Sequence, residues 1–209
     1  MREWLRKYIG PAPDGVFYRP AVFYGKPTPG QVLIMALNPK TPIYDAQFGG
    51  PARYAKTRHP AACMSSTEYL DILMDGQGFE REYQRIRAAT GLRPMSRSHM
   101  RLLELIRAVG IPVTLSNYYR YPTDKKEDIP ETEKRDDHVL PLINELRPAL
   151  VIALCEDAWD FMDEYLYAEP AANCRPEYLE FDHPAYVTDE RWQGLCKKAG
   201  QKAKELKIR

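Results

Sequence analysis

The chain has 209 residues, a formal net charge of +1 at pH 7, 44% hydrophobic residues and 28% charged residues. This is the balance of an ordinary folded protein, and it excludes a disordered or fibrous chain. It also excludes a globally basic nucleic-acid binder, so any contact with phosphate has to be local. No run approaches the roughly 20 apolar residues needed to span a bilayer. The N-terminal MREWLRKYIGPAPDG has no apolar core of signal-peptide type, so the expected setting is the cytoplasm. Cys63, Cys155, Cys174 and Cys196 form no CxxC pair and read as reduced thiols rather than a metal or iron–sulfur set.

Residues 1–30 are rich in Tyr, Phe, Pro and Gly. Trp4, Leu5, Tyr8 and Ile9 suit one face of a short helix, and Gly15 to Tyr24 is expected to be extended and to pack its aromatics on a sheet. In QVLIMALNPKTP (31–42) a short apolar run stops on Asn38 and Pro39. That pattern predicts a buried parallel strand ending on Asn38. Open α/β sheets bind ligands at that end. The connection 39–64 is long and interleaves Tyr44 and Phe48 with Arg53, Lys56, Arg58 and His59. Such a loop suits base stacking and phosphate contact, or else it is a proline-pinned surface loop.

Ser66 to Asp75 and Phe79 to Thr90 read as helices. Ser98 to Val109 is amphipathic, with Ser98 as N-cap and Gly110 as stop. Arginines 81, 85, 87, 93, 97, 101 and 107 crowd this region, either as a solvated face or as a phosphate-facing patch. Pro112 to Asn117 is a second strand that ends on Asn. A helix from Thr132 or Lys134 to Arg147 follows, in which Pro141 should cost stability or cause a kink. Pro148 to Cys155 is a third buried strand leading into a helix at 156–167. Tyr178 to Phe181 is a fourth, short strand before Asp182-His183-Pro184. A last helix runs from about Thr188 with a lysine-rich tail. His99 and His138 read as ordinary helix residues. The alternation of strands and helices predicts an α/β fold, a three-layer α/β/α arrangement around a mostly parallel four-stranded sheet.

Three of these strands end on Asn38, Asn117 and His183. If they are parallel neighbours, two amides and an imidazole meet at one sheet edge. The set holds no strong nucleophile, no phosphate loop and no metal-ligand spacing. Amides and an imidazole can orient a water, read a planar heterocycle and stabilise a developing anion. That suits a reaction whose leaving group departs largely by itself.

ALNPK, LSNYY and HPAY, in that order, resemble the motifs of the uracil-DNA glycosylase superfamily, and Leu146 to Met162 is similar to the family's segment between the second and third motifs. The resemblance covers roughly residues 30 to 190 and is closest to the branches with an Asn-Pro first motif. It implies one α/β domain over residues 1–209, with 1–30 as an extension packed on it. It implies hydrolysis of the N-glycosidic bond of a nucleotide flipped out of DNA, by a monomer that needs no cofactor, metal or membrane. On this resemblance Asn38 positions the water, Asn117 reads the pyrimidine edge and His183 bonds the base O2. Phe48 or Tyr44 stacks on the base, and Lys40 and Tyr118 line the pocket. Arg53, Lys56, Arg58, Arg120 and Tyr186 contact DNA. His59-Pro60 repeats the third motif's His-Pro but follows no strand.

The chain departs from the family at Ala36 and Lys40 in the first motif and at Ala185 in the third, and it lacks a first-motif Asp. Lys40 stands where the strictest uracil enzymes place a Tyr against the pyrimidine 5-position. Uracil or 5-substituted pyrimidines are therefore the expected targets, including glucosylated hydroxymethylcytosine of phage DNA, the target of one defence enzyme in the superfamily. The alternatives are a non-catalytic nucleic-acid binding module on the same fold and a hydrolase of free nucleosides.

Overall fold

The computed structural model describes residues 1–47, 60–110, 112–123, 125–168 and 175–208. The chain opens with helix α1 (Arg2–Tyr8) and strand β1 (Ala21–Tyr24), followed by β2 (Val32–Ala36). Two short strands, β3 (Tyr44–Asp45) and β4 (Cys63–Met64), pair in parallel within the long connection. Then come α2 (Ser66–Met74), α3 (Gly76–Ala89), α4 (Arg97–Val109), β5 (Val113–Asn117), α5 (Val139–Leu146), β6 (Leu150–Ala153), α6 (Glu156–Ala168), β7 (Glu177–Glu180) and α7 (Asp189–Glu205).

The main sheet has five strands in the order β1-β5-β2-β6-β7, not the four expected. β5, β2, β6 and β7 are parallel, and β1 joins β5 antiparallel. The fifth strand follows from burial. Every residue of β5 is buried, so its outer edge cannot be left to water, and Ala21–Tyr24 supplies the missing backbone partners. The result is a mixed α/β fold with a mostly parallel sheet flanked by helices. Leu33, Ile34, Met35, Val151 and Ile152 are fully buried at its centre, which explains their continuous apolar runs.

The register fixes where the strands stop together. Ala36 lies opposite Asn117, and Met35 opposite Ala153. The pairing continues past the strand ends. Tyr118 N donates to Ala36 O at 2.7 Å, Tyr119 N to Leu37 O at 2.8 Å, and Thr123 N to Pro39 O at 3.0 Å. The chain leaves β2 for β5 on one side and returns to β6 on the other. The strand order therefore reverses at β2, the place where such sheets form a crevice.

Helix starts differ from the sequence reading for local reasons. Ser96, not Ser98, caps α4, its Oγ accepting from His99 N, while Gly110 ends the helix at φ 86° as expected. α3 begins at Gly76, with Asp75 as cap. Gly76 is needed there, because a Cβ would stand 2.5 Å from the Tyr24 ring. α5 starts only at Val139. Pro141 thus falls in its first turn, where an N–H has no intrahelical partner, and it breaks nothing.

His138, just before α5, is fully buried, and its Nε2 donates to Asn117 O at 2.8 Å. Burial pulls its pKa from 6.5 down to about 4. The unfolded chain therefore binds a proton between those values that the folded chain does not, and stability falls as pH falls through that window. From pH 7 to pH 5 this residue should remove about 2 kcal/mol of stability. Urea titrations across that range should show the loss in the wild type, and His138→Gln should flatten it. An unchanged slope in the variant would assign the acid sensitivity to other groups.

Candidate functional site

A cavity of about 410 Å³ opens where β5, β2 and β6 end. Asn38, Lys40, Asn117, His183 and Tyr186 all line it. Residues from three separate stretches of sequence thus reach one space. Ala36, Leu37, Leu115 and Leu154 supply apolar lining, the usual composition of a small-molecule pocket.

The two asparagines are held in one orientation. Asn117 Nδ2 donates to Arg19 O at 2.8 Å. A carbonyl can only accept, so the amide cannot be flipped, and Oδ1 is left for another partner. Asn38 Nδ2 is more heavily committed, donating to Thr123 O and Thr123 Oγ1, both at 2.9 Å, and to Pro39 O at 3.3 Å. Its Oδ1 is the acceptor that remains. An amide anchored through its nitrogen in this way can hold a water through its oxygen.

His183 is held as a donor. Ala185 N donates to His183 Nδ1 at 3.2 Å, so the proton of the neutral ring sits on Nε2. Burial, and then the positive charge of Lys40, push its pKa below the ordinary value. The neutral ring with Nε2–H is therefore the form at neutral pH. The segment that carries it is tied down by Arg101, which is 3% exposed. Arg101 donates to Val187 O at 2.8 Å, to Pro184 O and to Asp189.

The turn after Asn38 is strained and clamped. Thr41 is buried at φ 62°, an outlier for a β-branched residue. Arg19 donates to Lys40 O at 2.9 Å and to Thr41 O at 3.0 Å. Arg87 donates to Thr41 Oγ1 at 2.7 Å. The Arg19 guanidinium lies over the rings of Phe79 and Tyr83 at 4.9 and 5.6 Å.

Other expected residues lie elsewhere. Tyr118 does not line the cavity; its hydroxyl donates to Asp136 at 2.9 Å, and its ring packs on Tyr119 and Phe161. Tyr44 lies in β3, bridged to Val16, and is not part of the lining either. Arg120 is 8% exposed, paired with Asp137 at 2.9 Å and set over the Tyr18 ring. It is a buried tether and not an open phosphate contact. Among the crowded arginines Arg87 and Arg101 are buried as well, while Arg81, Arg85 and Arg97 pair with acidic neighbours. Phe48, Arg53, Lys56, Arg58 and His59 fall outside the described residues.

Arg19, Phe79, Tyr83 and His99 also line the cavity, and no motif in the sequence marks them. Phe79 and Tyr83 are four apart on α3, a spacing that puts both on one helix face. His99 reads as a plain helix residue in the sequence, yet it pairs with Glu80 at 2.5 Å. Among the described residues no group of His, Cys, Asp and Glu is placed to hold a metal ion, and no helix is long and apolar enough to cross a membrane.

No protein-family model matches this chain, and no curated protein matches it. The site therefore has to be read from its own geometry. Lys40 and His183 give the first check. Replacing Lys40 with Gln removes a charge that disfavours the imidazolium, so the His183 midpoint should move upward, partway back toward an ordinary histidine. An NMR titration of the His183 ring protons would show it. An unmoved midpoint would mean that burial alone sets the depressed value.

Proposed function

We propose that the protein is a DNA glycosylase of the uracil-DNA glycosylase type, which hydrolyses the N-glycosidic bond of a flipped-out pyrimidine and leaves an abasic site. The observation that carries this reading is the meeting of Asn38, Asn117 and His183 in one cavity, each with its orientation set by a backbone partner. The order ALNPK, LSNYY, HPAY along the chain supports it.

The chemistry follows from what each group can offer. Asn117 Oδ1 accepts from an N–H on the pyrimidine edge. As the bond between C1′ and the base lengthens, positive charge grows on the sugar and negative charge on the base. His183 Nε2–H donates to the base O2, and a fixed neutral donor stabilises that charge without reorganising. A water held by Asn38 Oδ1 adds its oxygen to C1′, and its proton leaves to solvent or to the departing base. Positioning and electrostatics carry the step, since Asn38 is no base.

Tyr186 is 87% exposed beside His183, their rings 5.2 Å apart. An exposed ring next to a base-sized cavity suits the gap left in the stack when a nucleotide flips out. Lys40 and the exposed Lys125 add positive charge to the lining, which favours an anionic backbone and a departing anionic base alike.

Asn38→Ala should lower the rate of abasic-site formation by about 100-fold or more while oligonucleotide binding is retained. The readout is alkali-labile cleavage alongside fluorescence anisotropy. Undiminished turnover in that variant would remove Asn38 from the mechanism. Binding without any abasic product in the wild type would favour a non-catalytic module on the same fold.

A further inference from the structure

A second polar group reaches the same cavity from α3 and α4, and the chemistry assigned to Asn38, Asn117 and His183 does not use it. Glu80 is 9% exposed. One of its carboxylate oxygens accepts from the Tyr24 hydroxyl, and the other pairs with His99 Nε2 at 2.5 Å. Burial, and then the neighbouring Glu80 charge, hold the Tyr24 phenol far above its ordinary pKa, so it stays a donor. Tyr83 stacks on the His99 ring at 4.9 Å and 19°. The imidazole is thus fixed both in plane and in rotation.

With Nε2 committed to Glu80, the ring has Nδ1 left to offer. Among the described residues Nδ1 has no protein partner, yet it is not one of the sealed, unpartnered buried atoms, and His99 lines the cavity. The cavity that His99 lines has apolar walls as well, among them Val22, Phe79, Leu102 and Leu115. Placing an oriented acceptor in apolar surroundings costs free energy unless a donor meets it. A pyrimidine bearing hydrogen or methyl at its 5-position brings no donor there. A hydroxyl does.

We propose that His99, oriented by Glu80, is a specificity-determining residue that accepts a hydrogen bond from a hydroxyl-bearing substituent on the target pyrimidine. This rests on the glycosylase reading and names its substrate class. Ser98, which also lines the cavity, supplies a second hydroxyl partner for such a group. A site built to bond a hydroxyl discriminates strongly against the analogue that lacks it, because its own polar atoms are then left unmet.

The test uses oligonucleotide pairs that differ by one hydroxyl: thymine against 5-hydroxymethyluracil, and 5-methylcytosine against 5-hydroxymethylcytosine. The wild type should favour the hydroxylated member by about tenfold or more in kcat/KM. His99→Phe keeps a ring on Tyr83 and removes both nitrogens; it should bring the ratio near one, with the loss falling on the hydroxylated member. Glu80→Gln should weaken the preference in the same direction. Equal loss on both members of each pair, or no preference in the wild type, would overturn the proposal while leaving the glycosylase reading intact. If no base is released from any pair, affinities decide. A hydroxyl preference that His99→Phe abolishes would keep the specificity role and remove the glycosylase. No preference in binding either would overturn both.

Discussion

One buried guanidinium holds the site together. Arg19 is 4% exposed, and its side chain donates to the carbonyls of Lys40 and Thr41 and to the Tyr69 hydroxyl at 3.3 Å. Its own carbonyl accepts from Asn117, and its backbone N–H donates to Arg120 O at 2.8 Å. A single residue therefore joins the segment entering β1, the end of β5 and the turn after β2. Its cation is met by carbonyls, a hydroxyl and the faces of two rings; among the described residues no carboxylate forms an ion pair with it. Burying a charge this way is costly unless every donor is used, and the planar fork of Arg suits two adjacent carbonyls as Lys would not. The strained Thr41 lies in the same turn, held by Arg19 on its carbonyl and Arg87 on its hydroxyl.

The same logic extends to four of the polar groups that line the cavity. Each is bound on one side by protein and left open on the other: Asn38 by Thr123 and Pro39, Asn117 by Arg19, His183 by Ala185, His99 by Glu80. Orientation of this kind is settled when the chain folds, so little reorganisation is left when a ligand enters. Lys40 has a part beyond bulk. Its charge helps keep His183 neutral, and a neutral ring is the one whose Nδ1 can accept from Ala185 while Nε2 donates into the cavity.

Much of this was legible in the sequence because it depends on local pattern. The apolar runs ending on Asn38 and Asn117 are buried parallel strands, and the crevice lies at their ends. What was not legible depends on tertiary pairing. Gly15 to Tyr24 reads as extended, but that Ala21–Tyr24 joins the sheet as the antiparallel edge partner of β5 depends on tertiary pairing. Glu80 and His99 lie on different helices, and no spacing rule joins them. Arg87, Arg101 and Arg120 look like any exposed arginines until the backbone carbonyls or carboxylate they bind are in place. A pocket position for Tyr118 runs against the pleat. Neighbouring residues of an extended chain point to opposite faces, and Asn117 already faces the cavity.

The central claim is that this cavity frees a pyrimidine from DNA, and identifying the product tests it most directly. The wild-type protein would be incubated in EDTA with single- and double-stranded oligonucleotides carrying uracil, thymine or a 5-substituted pyrimidine, and the small-molecule fraction examined by mass spectrometry. The account predicts release of the intact free base from at least one of these, matched mole for mole by abasic sites. Release of free base from nucleosides with none from any oligonucleotide would contradict it, as would complete absence of free base alongside measurable DNA binding.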